Sequence, residues 1–101
     1  MSYRIRFTKD ADQDMDDILD FIAQDSVENA IKFVDKLEER FEKILGTFPA
    51  GGTRYKTARY FAFDNYIVVY DVDEEVKMVS ILLITEGHRQ WKAVLERRGR
   101  L

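Results

Sequence analysis

The stretch Ile44-Leu45-Gly46-Thr47-Phe48-Pro49-Ala50-Gly51-Gly52-Thr53 divides the chain into two halves whose apolar residues recur with different periods. Upstream of it, Val27, Ala30, Val34, Leu37, Phe41 and Ile44 alternate spacings of three and four, the repeat of one helix face. Gly46 is placed to close that helix in the left-handed conformation, and Pro49 prevents its resumption. Downstream the period falls to two. Residues 55–63, 66–72 and 76–84 are rich in aromatic and β-branched side chains and read as three strands. Asp64-Asn65 joins the first two as a type I′ hairpin turn, since both residue types tolerate positive φ. Asp73-Glu74-Glu75 joins the second and third.

Toward the N-terminus, Tyr3, Ile5 and Phe7 alternate with Arg4 and Arg6, which predicts a short strand. Thr8 is a helix N-cap, and Ala11, Met15, Ile18 and Ile22 form the apolar stripe of the helix it starts. Asp25 or Ser26 caps the next helix. Toward the C-terminus, a short basic helix is expected from about Gln90 to Arg98, with Gly99 ending it. The expectation is one α+β domain over residues 1–101. A strand, an antiparallel helix hairpin and a three-stranded antiparallel meander make a four-stranded sheet, with the helices on one face and a short C-terminal helix. Met15, Ile18, Ile22, Val34, Leu37 and Phe41 are the expected core between hairpin and sheet.

With 101 residues, 46% hydrophobic and 35% charged, the chain is sized for one domain with one modest core. The absence of cysteine excludes disulfides, thiolate metal sites and a cysteine nucleophile, and suits a reducing cytoplasm. The opening Met1–Phe7 lacks the apolar stretch of a secretory signal, and the longest apolar run is Ile81–Ile84. A soluble cytoplasmic protein with no membrane association is expected. A net charge of −3 argues against a surface coated for nucleic acid. The distribution says more. Residues 9–28 carry eight carboxylates against Lys9, whereas residues 86–101 carry five basic side chains against Glu86 and Glu96. Arg54, Lys56 and Arg59 add a second basic group with no acid among residues 50–63. The row Asp12, Asp16 and Asp20 reads as a solvated helix face, because one row of carboxylates is not a metal cage.

Tyr3-x-Ile5-x-Phe7-Thr8-x-x-Ala11-x-x-Asp14-Met15-x-x-Ile18 resembles the opening of ParE-type toxins of the RelE/ParE superfamily. Leu45-x-x-Phe48-Pro49-x-x-Gly52 is similar to that family's exit from the second helix, and Arg59-x-Phe61-x-Phe63-x-x-Tyr66-x-Val68-x-Tyr70 to its sheet signature. Gly87-His88-Arg89 resembles the RelE-side ending. The likeness spans about 85 of the 101 residues, on short motifs that gain weight from their joint order.

The resemblance implies the toxin of a type II toxin–antitoxin pair, associated in this family with plasmid stabilization. A ParE-like member acts without cofactor by binding and poisoning DNA gyrase, and is held silent by a cognate, ParD-like or related antitoxin. In that reading Arg59, Arg89, Trp91, Lys92, Arg97 and Arg98 contact the target. Phe33 falls off the main helical stripe and is the expected exposed contact for the antitoxin tail. The alternative is a RelE-type, metal-independent endoribonuclease acting on messenger RNA in the ribosome. It would use Arg59, His88 and Arg89, with Glu86 nearby and Tyr60 or Tyr66 to stack. His88 is the single histidine and titrates near neutrality. Against that alternative, no tyrosine follows Tyr70, Trp91 cannot serve as a proton acid, and the first helix is acidic. A third reading is a non-toxic homologue that acts only as a binding partner.

Overall fold

The two long helices start at hydroxyl caps. Thr8 Oγ1 accepts the Ala11 amide at 3.2 Å, opening α1 (Lys9–Asp25), and Ser26 Oγ accepts the Asn29 amide at 3.1 Å, opening α2 (Val27–Ile44). One residue therefore separates the helices, and they form an antiparallel hairpin. The computed structural model describes residues 2–87 and 89–99; His88, the expected acid–base residue, lies outside the described residues.

The remaining elements are β1 (Arg4–Phe7), β2 (Thr53–Tyr55), β3 (Ala58–Phe63), β4 (Tyr66–Asp73), β5 (Met78–Glu86) and α3 (Trp91–Arg97). The described strands form one five-stranded sheet in the order β1-β5-β4-β3-β2. Only the β1–β5 pairing is parallel, with Phe7 opposite Ile81; the helix hairpin supplies the crossover that a parallel neighbour needs. The sheet has five strands rather than the expected four because the run 55–63 is broken. Lys56 takes a positive φ of 54°, and Tyr55 pairs back onto Ala58. Two further turn expectations need correction. Of the pair Asp64-Asn65, Asp64 alone has positive φ, so the turn is not type I′. Gly46 is not left-handed: its N–H donates to Phe41 O and its carbonyl accepts the Tyr3 amide, which ties the end of α2 to β1. Gly99, with φ 71°, does close the last helix.

The helix hairpin covers one face of the sheet. Ala11, Phe33, Leu37, Phe41 and Leu45 pack there against Phe63, Val68, Tyr70, Val79, Ile81 and Ile84. Met15, Ile18 and Ile22 are half-buried against that core, whereas Val34 of α2, expected there, is half-buried outside the cluster. The face of α2 is rotated from its expected setting: Phe33 is 7% exposed, with its ring 5.5 Å from Phe63 and 5.2 Å from Tyr66, whereas Val27 is 65% exposed. On the opposite face α3 seals a second cluster of Trp91 and Leu95 on Ala58, Val69, Leu82 and Leu83. Between them β5 is apolar on both sides, which explains its unbroken run Ile81–Ile84. A bulge makes this possible. Val69 faces Leu83 and Tyr70 faces Ile81, so Leu82 is an inserted residue, and Leu82 and Leu83 both turn toward α3.

The loop from α2 to β2 is fixed by one phenol. Tyr70 Oη, on a fully buried side chain, donates to Pro49 O and accepts the Gly52 amide at 3.1 Å. Gly52 has to be glycine, since a Cβ there would collide with that hydroxyl.

Candidate functional site

The bulge and the short β1 together shape a cleft. β1 follows β5 only as far as Ile81, while β5 runs on to Glu86. Past the end of β1, α1 forms one wall with Asp14, Asp17, Ile18 and Phe21, and the C-terminal segment forms the other with Arg89, Val94, Arg97 and Arg98. Tyr66 and Leu83 to Glu86 make the floor of this cleft of about 440 Å³. Burial, with the Glu86 and Asp64 carboxylates, pushes the Tyr66 phenol above its usual pKa, so the hydroxyl stays protonated at neutral pH.

At the inner end of the cleft Arg98 meets Asp14 in a two-pronged bridge. Nη2 donates to Oδ1 at 2.7 Å and Nη1 to Oδ2 at 2.9 Å, with both side chains mostly buried. Arg98 Nη1 also donates to Leu82 O at 3.0 Å, and Asp14 Oδ2 accepts the Ile84 amide at 3.0 Å. The Asp14 hydrogen bond raises the guanidinium pKa further, against the opposing effect of burial. Arg98, expected to be a target contact, is therefore committed to structure.

Trp91 needs the same correction. Its ring is 9% exposed and packs 5.2 Å from Tyr55 and 4.8 Å from the half-buried Tyr60. Lys92 remains at the surface with its ammonium 5.0 Å over the Tyr55 ring, and Arg89 and Arg97 are exposed. Arg59 stands elsewhere. It donates to Gly52 O at 2.9 Å and lines a separate groove with Arg54, Asp71 and Glu74. On β4 its partner is Tyr70, four residues from the Tyr66 that faces Glu86. At the rise of an extended strand that separation is about 13 Å. Arg59 and Arg89 thus line different grooves. Among the described residues no group of three carboxylate or imidazole side chains is arranged to hold a metal ion, and no helix is long and apolar enough to cross a membrane.

Residues 5–91 match the family described as ParE toxin of type II toxin-antitoxin system, parDE. The chain belongs to the ParE toxin family. The fold of this ParE-family protein is shared with a chain of the chromosomal ParDE system from P. aeruginosa, at 20% identity and TM-score 0.67, covering 84% of this chain and 96% of that one. It is shared also with a chain of the RelBE2 toxin–antitoxin complex from Mycobacterium tuberculosis, at 23% identity and TM-score 0.56, covering 88% and 95%. At those identities the likeness speaks for the fold, and both branches of the RelE/ParE superfamily display it. No curated protein matches the chain in sequence.

For a ParE-family member the useful outcome is which basic residues remain available. Arg89, Lys92 and Arg97 are exposed, carried by α3 and the turn before it. Sequence reasoning named all three, and it missed that Asp14 of α1 anchors their neighbour Arg98.

Proposed function

We propose that this ParE-family toxin acts by binding DNA gyrase through the basic surface of Arg89, Lys92 and Arg97, and that a cognate ParD-like antitoxin neutralises it. The observation that carries this reading is that the three cations are exposed on a docked helix and its lead-in turn, while the Arg59 guanidinium is half-buried and bound to Gly52 O. A contact surface needs charge presented outward. A ribonuclease site needs an acid, a base and a cation within reach of one phosphate. For the antitoxin, exposed apolar surface lies at Phe21, Val27 and Ile31 of the hairpin rather than at Phe33.

The ribonuclease reading keeps one point in its favour, since Tyr66, Glu86 and Arg89 do line a common cleft. A paired assay separates the two. Purified protein is titrated into gyrase supercoiling and into ribosome-dependent messenger cleavage, alongside His88→Gln and the triple variant Arg89→Glu/Lys92→Glu/Arg97→Glu. The expected result is inhibition of supercoiling, retained in His88→Gln and reduced at least tenfold in the triple variant. Ribosome-dependent cuts that His88→Gln abolishes would overturn it in favour of the ribonuclease. Inactivity in both assays would leave the non-toxic binding partner.

A further inference from the structure

We infer that Asp14 and Arg98 form a latch that stands in for the strand β5 lacks beyond Ile81, and that this latch positions the basic C-terminal segment. A strand that outruns its neighbour exposes carbonyl and amide groups that need partners. Here the Leu82 carbonyl and the Ile84 amide, on either side of Leu83, are met by a guanidinium donor and a carboxylate acceptor. A neighbouring backbone would have offered the same two kinds of group.

The second step is what the pair connects. Asp14 belongs to α1, packed on one face of the sheet, and Arg98 caps the end of α3, packed on the other. The bridge passes around the β5 edge and joins the two layers. At seven residues, α3 is too short to hold a helical conformation by itself, so its place depends on tertiary ties. Trp91 and Leu95 supply the apolar tie, and the bridge fixes the far end. Lys56–Glu96 is a third link, half exposed at both ends, and exposed pairs contribute little. With Arg98 held, its neighbour Arg97, and Arg89 just ahead of α3, line the cleft wall opposite α1.

Asp14 and Arg98 are thus positioning residues: they set the direction of cations that do the contacting. This part rests on the gyrase-binding reading above. The latch itself does not.

The test compares wild type with Asp14→Asn and with the double variant Asp14→Leu/Arg98→Leu, which removes the pair without leaving one buried charge unpartnered. Amide hydrogen exchange is followed at Val94 and Arg98 in the C-terminal segment, and at Val69 and Leu83 in the sheet. Exchange at the first two should accelerate by about tenfold or more in both variants, with the sheet amides within about twofold of wild type. Gyrase inhibition should weaken by about tenfold while the sheet stays protected. Should Asp14→Asn fail to fold, the double variant decides. Unchanged exchange at Val94 and Arg98, or a rise shared equally by Val69 and Leu83, would overturn the latch. Wild-type protein that leaves gyrase untouched would overturn the target reading, while the exchange comparison still judges the latch.

Discussion

Single residues carry the fold where their partners are close in sequence, and those were readable. Thr8 and Ser26 cap as expected because a hydroxyl serves an amide three residues on, a purely local relation. Phe33 shows how a local rule drifts. The strict three–four alternation through Ala30, Val34, Leu37, Phe41 and Ile44 averages 3.5 residues per turn, while a straight helix needs 3.6. The buried set is Ala30, Phe33, Leu37 and Phe41, with spacings of three, four and four. Tyr70 was legible as a strand residue, but not as the anchor of the Pro49–Gly52 loop, because that partner lies 18 to 21 positions away. Its burial yields a pH prediction. Burial raises the folded phenol above its ordinary pKa of 10.0, although the Gly52 amide and Arg59 partly oppose this. The contribution is fully present below pH 10 and is lost as pH rises through the folded value, because only the unfolded chain releases the proton readily. Denaturant unfolding from pH 8 to 11 should show stability falling above about pH 10. Tyr70→Phe should flatten that fall and cost about 1–3 kcal/mol at neutral pH by orphaning Pro49 O and the Gly52 amide. An equally steep alkaline fall in Tyr70→Phe would remove Tyr70 as its source. Gly52→Ala should be at least as damaging, since its Cβ strikes the same hydroxyl.

At the scale of elements, helices and strands were legible and the irregularities between them were not. The break at Lys56-Thr57 has no glycine, asparagine or proline to announce it, so two strands read as one. The bulge at Leu82 is silent for the same reason: four consecutive apolar residues suit a strand buried on both faces, with or without an insertion. The rotation of α2 gives a test that separates its true face from the expected one. Phe33→Ala removes a ring packed on Phe63 and Tyr66 and should cost about 3–5 kcal/mol in urea unfolding. Ile31→Ala, at a position 57% exposed, should stay within about 0.5 kcal/mol. Equal losses in the two variants would mean that α2 packs with a different face. The candidate cleft was half legible for a related reason. Its basic wall is a run of neighbouring residues, whereas the Asp14–Arg98 bridge joins positions 84 apart. Asp14 stood in a recognisable motif without any sign of its partner.

Across the whole molecule the charge polarity seen in the sequence becomes spatial. Asp14 and Asp17 of α1 stand on one wall of the cleft, and Arg89 and Arg97 on the other. With Arg98 and Asp14 neutralising one another, Arg89, Lys92 and Arg97 are the exposed cations among the described residues of the C-terminal segment. Exposed charges of this kind steer an encounter more than they tighten a complex, and their reach is set by ionic strength. The screening length is about 10 Å at 0.1 M salt and about 3 Å at 1 M. Association with gyrase, followed by surface plasmon resonance, should therefore slow by tenfold or more between about 0.05 and 0.5 M salt. The triple variant Arg89→Glu/Lys92→Glu/Arg97→Glu should start slow and respond far less, because the attraction being screened is gone. Dissociation rates should differ less than association rates, since rim charges act before contact is complete. If wild type and variant lose association rate in parallel as salt rises, the steering charge lies elsewhere on the molecule. Arg54, Lys56 and Arg59, the second basic group in the sequence, would be the next residues to reverse.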